Sequence, residues 1–113
     1  MKESEIQRLI LDYLAAERIL AFRMNSGVMK ASYGGKSRRV RFGVAGMADV
    51  LAFIQPDECD YPLSHQRVTW IEVKDEKGKQ TDLQKSFQLQ VESEGHRYIL
   101  ARSLEDVKQA LGA

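Results

Sequence analysis

Three stretches of the chain place apolar residues at every third or fourth position, which is the period of an α-helix. The first, residues 4–17, opens with the capping-box pattern Ser-x-x-Gln at Ser4. The second, residues 81–95, opens with a similar box at Thr81 and ends at a glycine. A shorter stretch at 103–112 begins with a serine cap. These patterns predict three helices.

Between the helices lie segments whose apolar residues form short runs or alternate with polar ones, as in β-strands. The segment 28–42 predicts a hairpin that turns at Gly34-Gly35. Residues 49–54 are almost continuously apolar, which predicts a buried strand. Further strands are predicted at 19–25, 67–74 and 97–101. We therefore predict an α/β fold, with one domain over residues 1–113 and a central mixed sheet flanked by helices.

The predicted strand 67–74 is apolar until its last residues, where Glu72 and Lys74 lie on one face. The preceding strand begins with Asp49 and is joined to it by a loop, so antiparallel pairing is the simplest arrangement. Such pairing brings the start of one strand beside the end of the next. Asp49 is thus expected to lie next to Glu72 and Lys74, where the sheet meets solvent.

Two carboxylates at such a position repel each other unless a positive charge lies between them. Lys74 supplies part of that charge, and a divalent cation would supply more. Mg²⁺ prefers oxygen ligands and commonly takes one or two carboxylates together with a substrate phosphate. A structural ion pair at the end of a strand is the alternative interpretation, because Glu-x-Lys is a common tripeptide.

The distribution of charge favours a polyanionic partner. The chain has a net charge of +1, yet the segment Arg23–Gly46 contains six basic residues and no acidic one. The rest of the chain is therefore net acidic. Such asymmetry is typical of proteins that contact nucleic acid with one part of the fold, although a solvated basic hairpin is the alternative.

Other features of the composition narrow the class of protein. The single cysteine, Cys59, excludes an internal disulfide and a multi-cysteine zinc site. No apolar run is long enough to span a bilayer, and the first residues lack the apolar block of a signal peptide. We therefore expect a cytoplasmic protein with no membrane partner.

The segments "GMADV" and "IEVK" resemble the D…(E)xK signature of the PD-(D/E)XK nuclease superfamily. More closely, the chain resembles the VRR-NUC family in its short, stand-alone form from phages and bacteria. The likeness covers nearly the whole chain, through "SEIQRLILDYL", "RMNSG", "RFGVAGMADVL", "IEVKDEKGKQTDLQKSF" and "HRYILARSLEDV". It implies a restriction-endonuclease-like fold in a protein of a bacterial or phage-infected cell.

The resemblance implies a role for each member of the converging cluster. Asp49 and Glu72 would bind Mg²⁺ with help from the backbone carbonyl of Val73, and Mn²⁺ could substitute. Lys74 would be the catalytic lysine. Family members often have proline directly before the aspartate, where this chain has Ala48. The change affects the stiffness of the turn and removes no ligand.

Glu5 and Gln84 also match catalytic positions of the family, and each has a second interpretation. Glu5 matches a glutamate in the family's first helix, but an acidic side chain in a first turn also complements the helix dipole. Gln84 matches a glutamine near the family's site. It is also the third residue of its capping box, so it can cap its own helix.

Several residues are candidates for DNA contact. Asn25 and Ser26, in "RMNSG", could contact a phosphate, with a role in a turn as the alternative. The hairpin would grip the DNA backbone, which gives affinity without base reading, through Lys30, Lys36, Arg38, Arg39 and Arg41.

Together these patterns predict a hydrolase: a Mg²⁺-dependent endonuclease that cleaves phosphodiester bonds in DNA. Resemblance to the stand-alone family members further implies a homodimer that resolves branched DNA such as a four-way (Holliday) junction. Two alternatives stay open. One is a less selective nuclease acting on flaps, nicks or duplex, and the other is a DNA-binding module without catalysis.

Overall fold

A computed structural model describes residues 1–24, 27–42, 44–54 and 67–112, with the backbone alone described for 27–33, 36–42 and 67. The helices and strands occur in the predicted order. Their bounds are α1 Glu3–Ala16, β1 Leu20–Arg23, β2 Gly27–Tyr33, β3 Lys36–Phe42, β4 Val50–Ile54, β5 Arg67–Val73, α2 Asp82–Ser93, β6 Arg97–Ala101 and α3 Leu104–Ala110.

Four of the described strands form a mixed sheet in the order β1-β4-β5-β6, and β2 and β3 form a separate hairpin. β4 pairs antiparallel with both β1 and β5, whereas β5 and β6 are parallel. A parallel pair requires a crossover connection, and α2 provides it. The predicted single-domain α/β architecture with a mixed sheet and three helices is therefore confirmed. The hairpin turns at Gly34 and Gly35, whose φ angles of 60° and 79° suit such a turn.

One face of the sheet carries the main hydrophobic core. Ile10 and Leu14 of α1 and Val107 of α3 are fully buried there. Val50 of β4 and Ile71 of β5 meet them from the sheet and are also fully buried. Burial of each large aliphatic side chain contributes about 1.5–3 kcal/mol. This core fixes the positions of β4 and β5, the two strands that lead to the acidic residues.

The opposite face of the sheet is covered in part by α2. Phe87 packs edge-on against Trp70 of β5, with ring centroids 5.0 Å apart, and lies 6.5 Å from the ring of Tyr98. Glu72 follows Trp70 by two residues and therefore points to the same face. A carboxylate thus ends a row of side chains that is otherwise apolar and aromatic.

The start of α1 differs from the prediction. The helix begins at Glu3 with Lys2 as its N-cap, so the predicted capping box at Ser4 is wrong. Glu5 occupies the third helical position, and its Oε2 accepts a hydrogen bond of 3.3 Å from the Lys2 backbone N–H. That bond satisfies a backbone donor at the helix end, which explains why the helix starts before the serine. The capping box at Thr81, in contrast, is confirmed.

Helix lengths bear on membrane insertion. The longest helix in the described part of the chain, α1, has 14 residues, and a helical span needs about 20 apolar residues. Among the described residues, no helix is long and apolar enough to cross a bilayer.

Candidate active site

The pairing of β4 with β5 sets Asp49 against Glu72. The register matches Val50 with Ile71 and Leu51 with Trp70, and its continuation by one residue places Asp49 opposite Glu72. The Val73 backbone N–H donates a hydrogen bond of 2.8 Å to Asp49 Oδ2. The Asp49 side chain therefore continues the hydrogen bonding between β4 and β5 one step beyond their backbone pairs. The convergence expected from antiparallel pairing is present.

The Glu72 carboxylate is buried and only half satisfied. Glu72 is only 2% exposed. Its Oε1 accepts a hydrogen bond of 3.1 Å from Gln84 Nε2. Oε2 has no hydrogen-bond partner in the described structure. Burial, then repulsion from Asp49 and a side-chain hydrogen bond with Asp49 that the protonated form can make, raise the pKa of Glu72 to about 8, and the charge of Lys74 acts in the opposite direction. Near neutral pH this carboxylate requires a proton or a cation.

Gln84 caps its helix and also contacts Glu72. Its Oε1 accepts a hydrogen bond of 2.9 Å from the Thr81 N–H, while its own N–H donates to Thr81 Oγ1 at 3.2 Å. The capping bond requires the amide oxygen at Thr81, because a backbone N–H can only donate. The amide NH₂ is thereby directed to Glu72. Capping the helix and orienting the carboxylate are the work of a single side chain.

Gly46 connects the loop before Asp49 to the same helix end. Its φ is +84°, and a Cβ at this position would lie 2.5 Å from the Leu83 carbonyl carbon and 2.9 Å from the Gln84 nitrogen. The loop and the first turn of α2 therefore meet backbone to backbone, an approach that only glycine permits. Asp49 and Gln84 are thus held relative to each other, a contact that the sequence pattern alone did not predict.

Lys74 lies just beyond the end of β5, beside a glutamate of α1. The Lys74 N–H bonds to the Ala101 carbonyl at 2.9 Å. Both side chains pack against Gly78. A Cβ added at Gly78 would lie 3.2 Å from Lys74 Cδ and 3.3 Å from Glu3 Oε1, so the two side chains are near each other. The charge of Glu3 also raises the pKa of Glu72. Glu3 therefore belongs to the acidic cluster.

Glu5 was the predicted glutamate of the first helix, and the structure does not bring it into this cluster. Its side chain is exposed and bonds to the backbone of Lys2 at the helix end. The physical reason is helical geometry, because residues two positions apart lie about 200° apart around the axis. With Glu3 near Lys74, Glu5 points elsewhere. The structure favours the helix-end role for Glu5.

Arg102 fixes the turn that follows Lys74. Its guanidinium donates to the backbone carbonyls of Asp75 at 2.6 Å and Gly78 at 2.7 Å. Asp75 Oδ1 closes the same turn by accepting from the N–H groups of Lys77 and Gly78 at 3.0 and 2.6 Å. The sequence carried no signal for Arg102, because its partners lie more than twenty residues earlier in the chain.

The predicted DNA contacts are placed only in outline. Asn25 and Ser26 lie outside the described residues. The basic residues of the hairpin lie on β2 and β3, where Lys30 pairs with Arg39. The other basic residues of the hairpin, Lys36, Arg38 and Arg41, lie on β3. For all five residues the structure gives the strand position and the pairing partner.

The donor set can be tested against a divalent cation. The described part of the chain has no group of three His, Cys, Asp or Glu side chains arranged to hold a metal. It does bring together Asp49 and the unpartnered Oε2 of Glu72. The Val73 N–H points to Asp49, and its carbonyl points the same way because both groups of a strand residue face the same neighbour. Two carboxylates and one carbonyl fit Mg²⁺, which keeps several waters, better than Zn²⁺.

Comparison of the chain with protein-family models, with curated proteins and with solved structures found no match. The resemblance to the VRR-NUC family thus rests on the motifs of this sequence.

We predict that Gly46→Ala destabilises the protein by about 2–4 kcal/mol, because alanine combines the strain of positive φ with a clash against the Leu83 backbone. Gly95→Ala is the matched control, since Gly95 has a φ of +83° and open space around it. It should cost about 1–2 kcal/mol through backbone strain alone. Urea denaturation measures both. Equal losses of stability in Gly46→Ala and Gly95→Ala would show that the loop at Gly46 does not pack tightly against α2.

We predict that Glu72 makes metal-free stability fall with rising pH. The folded-state pKa of about 8 lies above the ordinary 4.5, so the folded protein holds this proton more tightly than the unfolded chain. Its stabilising effect is complete below about 4.5 and is lost as the pH rises through about 8.

Glu72→Gln cannot ionise and should therefore gain about 1–3 kcal/mol relative to the wild type between pH 5 and pH 9. Denaturation in chelator across this range measures the difference. Glu105→Gln, an exposed residue of α3, should follow the wild-type curve. Parallel curves for wild type and Glu72→Gln would contradict the prediction.

Proposed function

We propose that the protein is a Mg²⁺-dependent endonuclease of the PD-(D/E)XK type, similar to the VRR-NUC family, that hydrolyses phosphodiester bonds in DNA. One observation carries the proposal: Glu72 is buried with one oxygen held by Gln84 and the other unpartnered beside Asp49. A buried carboxylate in this state is unfavourable for stability alone. It is suited to binding a cation.

Each residue of the cluster has a distinct part in the proposed mechanism. Asp49, Glu72 and the Val73 carbonyl would hold Mg²⁺, which when bound polarises the phosphate and activates water. The Val73 N–H fixes Asp49, and Gln84 fixes Glu72. These bonds hold both carboxylates in place before any ligand arrives, so little reorganisation is needed on binding.

Lys74 is the proposed catalytic lysine. It follows Glu72 by two residues on the same side of the strand, and the turn after it is anchored by Arg102. Its ammonium group can position the attacking water and stabilise negative charge that develops on the phosphate oxygens. Glu3 lies close to the Lys74 side chain. A carboxylate there can help to orient the lysine side chain.

The choice of DNA as substrate rests on charge and on the resemblance. The basic segment Arg23–Gly46 includes β2 and β3, a hairpin separate from the main sheet. A separate basic hairpin suits contact with a polyanionic backbone. Action on four-way junctions as a homodimer in a bacterial or phage-infected cell is the finer proposal, and it rests on the resemblance alone.

A panel of labelled substrates tests the proposal: a four-way junction, a flap, a nicked duplex and a linear duplex, each with Mg²⁺, Mn²⁺ or chelator. We expect metal-dependent cutting that favours the junction. Lys74→Ala should reduce cutting at least about 100-fold while junction binding survives, because general acid–base groups contribute about 10²–10⁴-fold. Lys77→Ala is the matched control, since this exposed lysine lies in the next turn. It should cut normally.

Other outcomes of the panel decide between the alternatives. Equal cutting of junction and linear duplex would sink the resolvase proposal and leave a less selective nuclease. Binding without cutting in any metal would instead favour a DNA-binding module. Undiminished cutting by Lys74→Ala would remove this lysine from the mechanism.

A further inference from the structure

A second polar site lies at the same end of the sheet as the acidic cluster but on the opposite face, between α1 and the end of β1. It is a pocket of about 270 Å³ lined by Ser4, Gln7, Arg8, Leu11, Asp12 and Arg23. The lining residues carry two guanidinium groups, a hydroxyl, an amide and one carboxylate. The excess of positive charge and hydrogen-bond donors is suited to an anion.

Among the side chains that the structure describes, neither arginine of the pocket has an acidic partner within 4.0 Å. Asp12 follows Arg8 by four residues on α1, a spacing that allows an ion pair across one helical turn. Arg8 and Asp12 nevertheless do not approach within 4.0 Å. The ion pair found among the described residues is Lys108–Glu105 on α3. Arg8 and Arg23 are both exposed. A phosphate could pair with both, because guanidinium groups match phosphate oxygens in a two-bond geometry.

The pocket lies at the same end of the sheet as the acidic cluster. Arg23 pairs with Val50 in the register of β1 and β4, and the next N–H, of Met24, donates to the Asp49 carbonyl at 2.7 Å. Neighbouring strands are about 4.8 Å apart, so β1 lies roughly 10 Å from β5. Arg23 therefore begins close to the proposed cleavage site.

The two sites open on opposite faces of the sheet. Phe22 pairs with Leu51 and so shares a face with Trp70 and Glu72. Arg23, the next residue, points to the other face, where α1 packs. A nucleic-acid strand crossing this end of the sheet would thus meet the acidic cluster first on one side and the arginine pocket on the other.

We propose that the pocket binds a backbone phosphate of the DNA strand, flanking the bond that is cut. This inference rests on the proposed function and adds a binding site to it. Arg23 opens the basic segment Arg23–Gly46, so the pocket is continuous in sequence with the part of the chain suited to DNA. A phosphate held there fixes the path of the strand and presents a neighbouring phosphate to Asp49 and Glu72.

Arg23→Gln tests the site, with Arg18→Gln as the matched control. Arg18 precedes β1 and Arg23 ends it, so the two lie at opposite ends of the same strand and each variant removes one charge. Binding of labelled junction and duplex is measured by fluorescence anisotropy in chelator, where no cutting occurs, across a salt series. Arg23→Gln should weaken binding about 5–30-fold and reduce the slope of log K against log salt by about one. Arg18→Gln should change binding less than about twofold.

Two further variants separate a specific pocket from general charge. Arg23→Lys keeps the charge but loses the two-bond geometry, so its affinity should fall between wild type and Arg23→Gln. Arg8→Gln removes the second arginine of the pocket and should also weaken DNA binding. Arg8 is exposed on a helix, where glutamine is well tolerated. It keeps the test decisive if Arg23→Gln proves unstable in a thermal melt. Equal losses for Arg23→Gln and Arg18→Gln would overturn the proposal.

A titration with a dinucleotide distinguishes failure of this site from failure of the proposed function. We expect the Arg8 and Arg23 side-chain NMR resonances to shift with a dinucleotide and not to shift with added chloride. Such shifts in a protein that binds long DNA but does not cut it would keep the phosphate pocket and reject the nuclease. Cutting of DNA with no effect of Arg8→Gln or Arg23→Gln would keep the nuclease and reject the pocket.

Discussion

The burial of the Glu72 carboxylate is the constraint around which this end of the fold is arranged. A carboxylate removed from water costs several kcal/mol unless hydrogen bonds, a proton or a cation compensate. The described residues supply one amide donor, from Gln84, and no donor to Oε2, which lies beside the carboxylate of Asp49. An apolar residue would serve the fold better at this position. Stability alone therefore does not explain Glu72, and cation binding is the role that we propose for it.

The surrounding contacts hold the elements of this site in register. α2 begins where its cap can also reach Glu72, and Gly46 allows the loop before Asp49 to pack directly on that helix end. Arg102 holds the turn beyond Lys74 from the far side. These contacts join parts of the chain that are distant in sequence, and they rest on a core formed by α1, α3 and the middle of the sheet. The paired strands β4 and β5 and the anchored loops at their ends hold the acidic side chains in fixed positions.

The sequence predicted this arrangement best where its signals were local. Apolar periodicity located the three helices, and the long apolar run of β4 marked a buried strand. Antiparallel pairing of two consecutive strands was enough to bring Asp49 to Glu72. Tertiary contacts were harder to predict. Gly46 and Arg102 act through partners distant in the chain, so no local pattern identifies them. Glu5 was favoured over Glu3 because it matches the glutamate in the family's first helix. Residues two positions apart lie about 200° apart around a helix, so the two glutamates cannot both face the cluster.

Titration of Mn²⁺ into the purified protein, followed by calorimetry, tests the central claim most directly. The account predicts saturable binding near neutral pH that is lost in Glu72→Gln, because this change removes the charge and leaves the fold and the Gln84 cap in place. Glu105→Gln, an exposed change of equal charge, should bind as the wild type does. Absence of saturable binding by the wild type, or equal binding by Glu72→Gln, would contradict the claim that the buried carboxylate is a metal ligand.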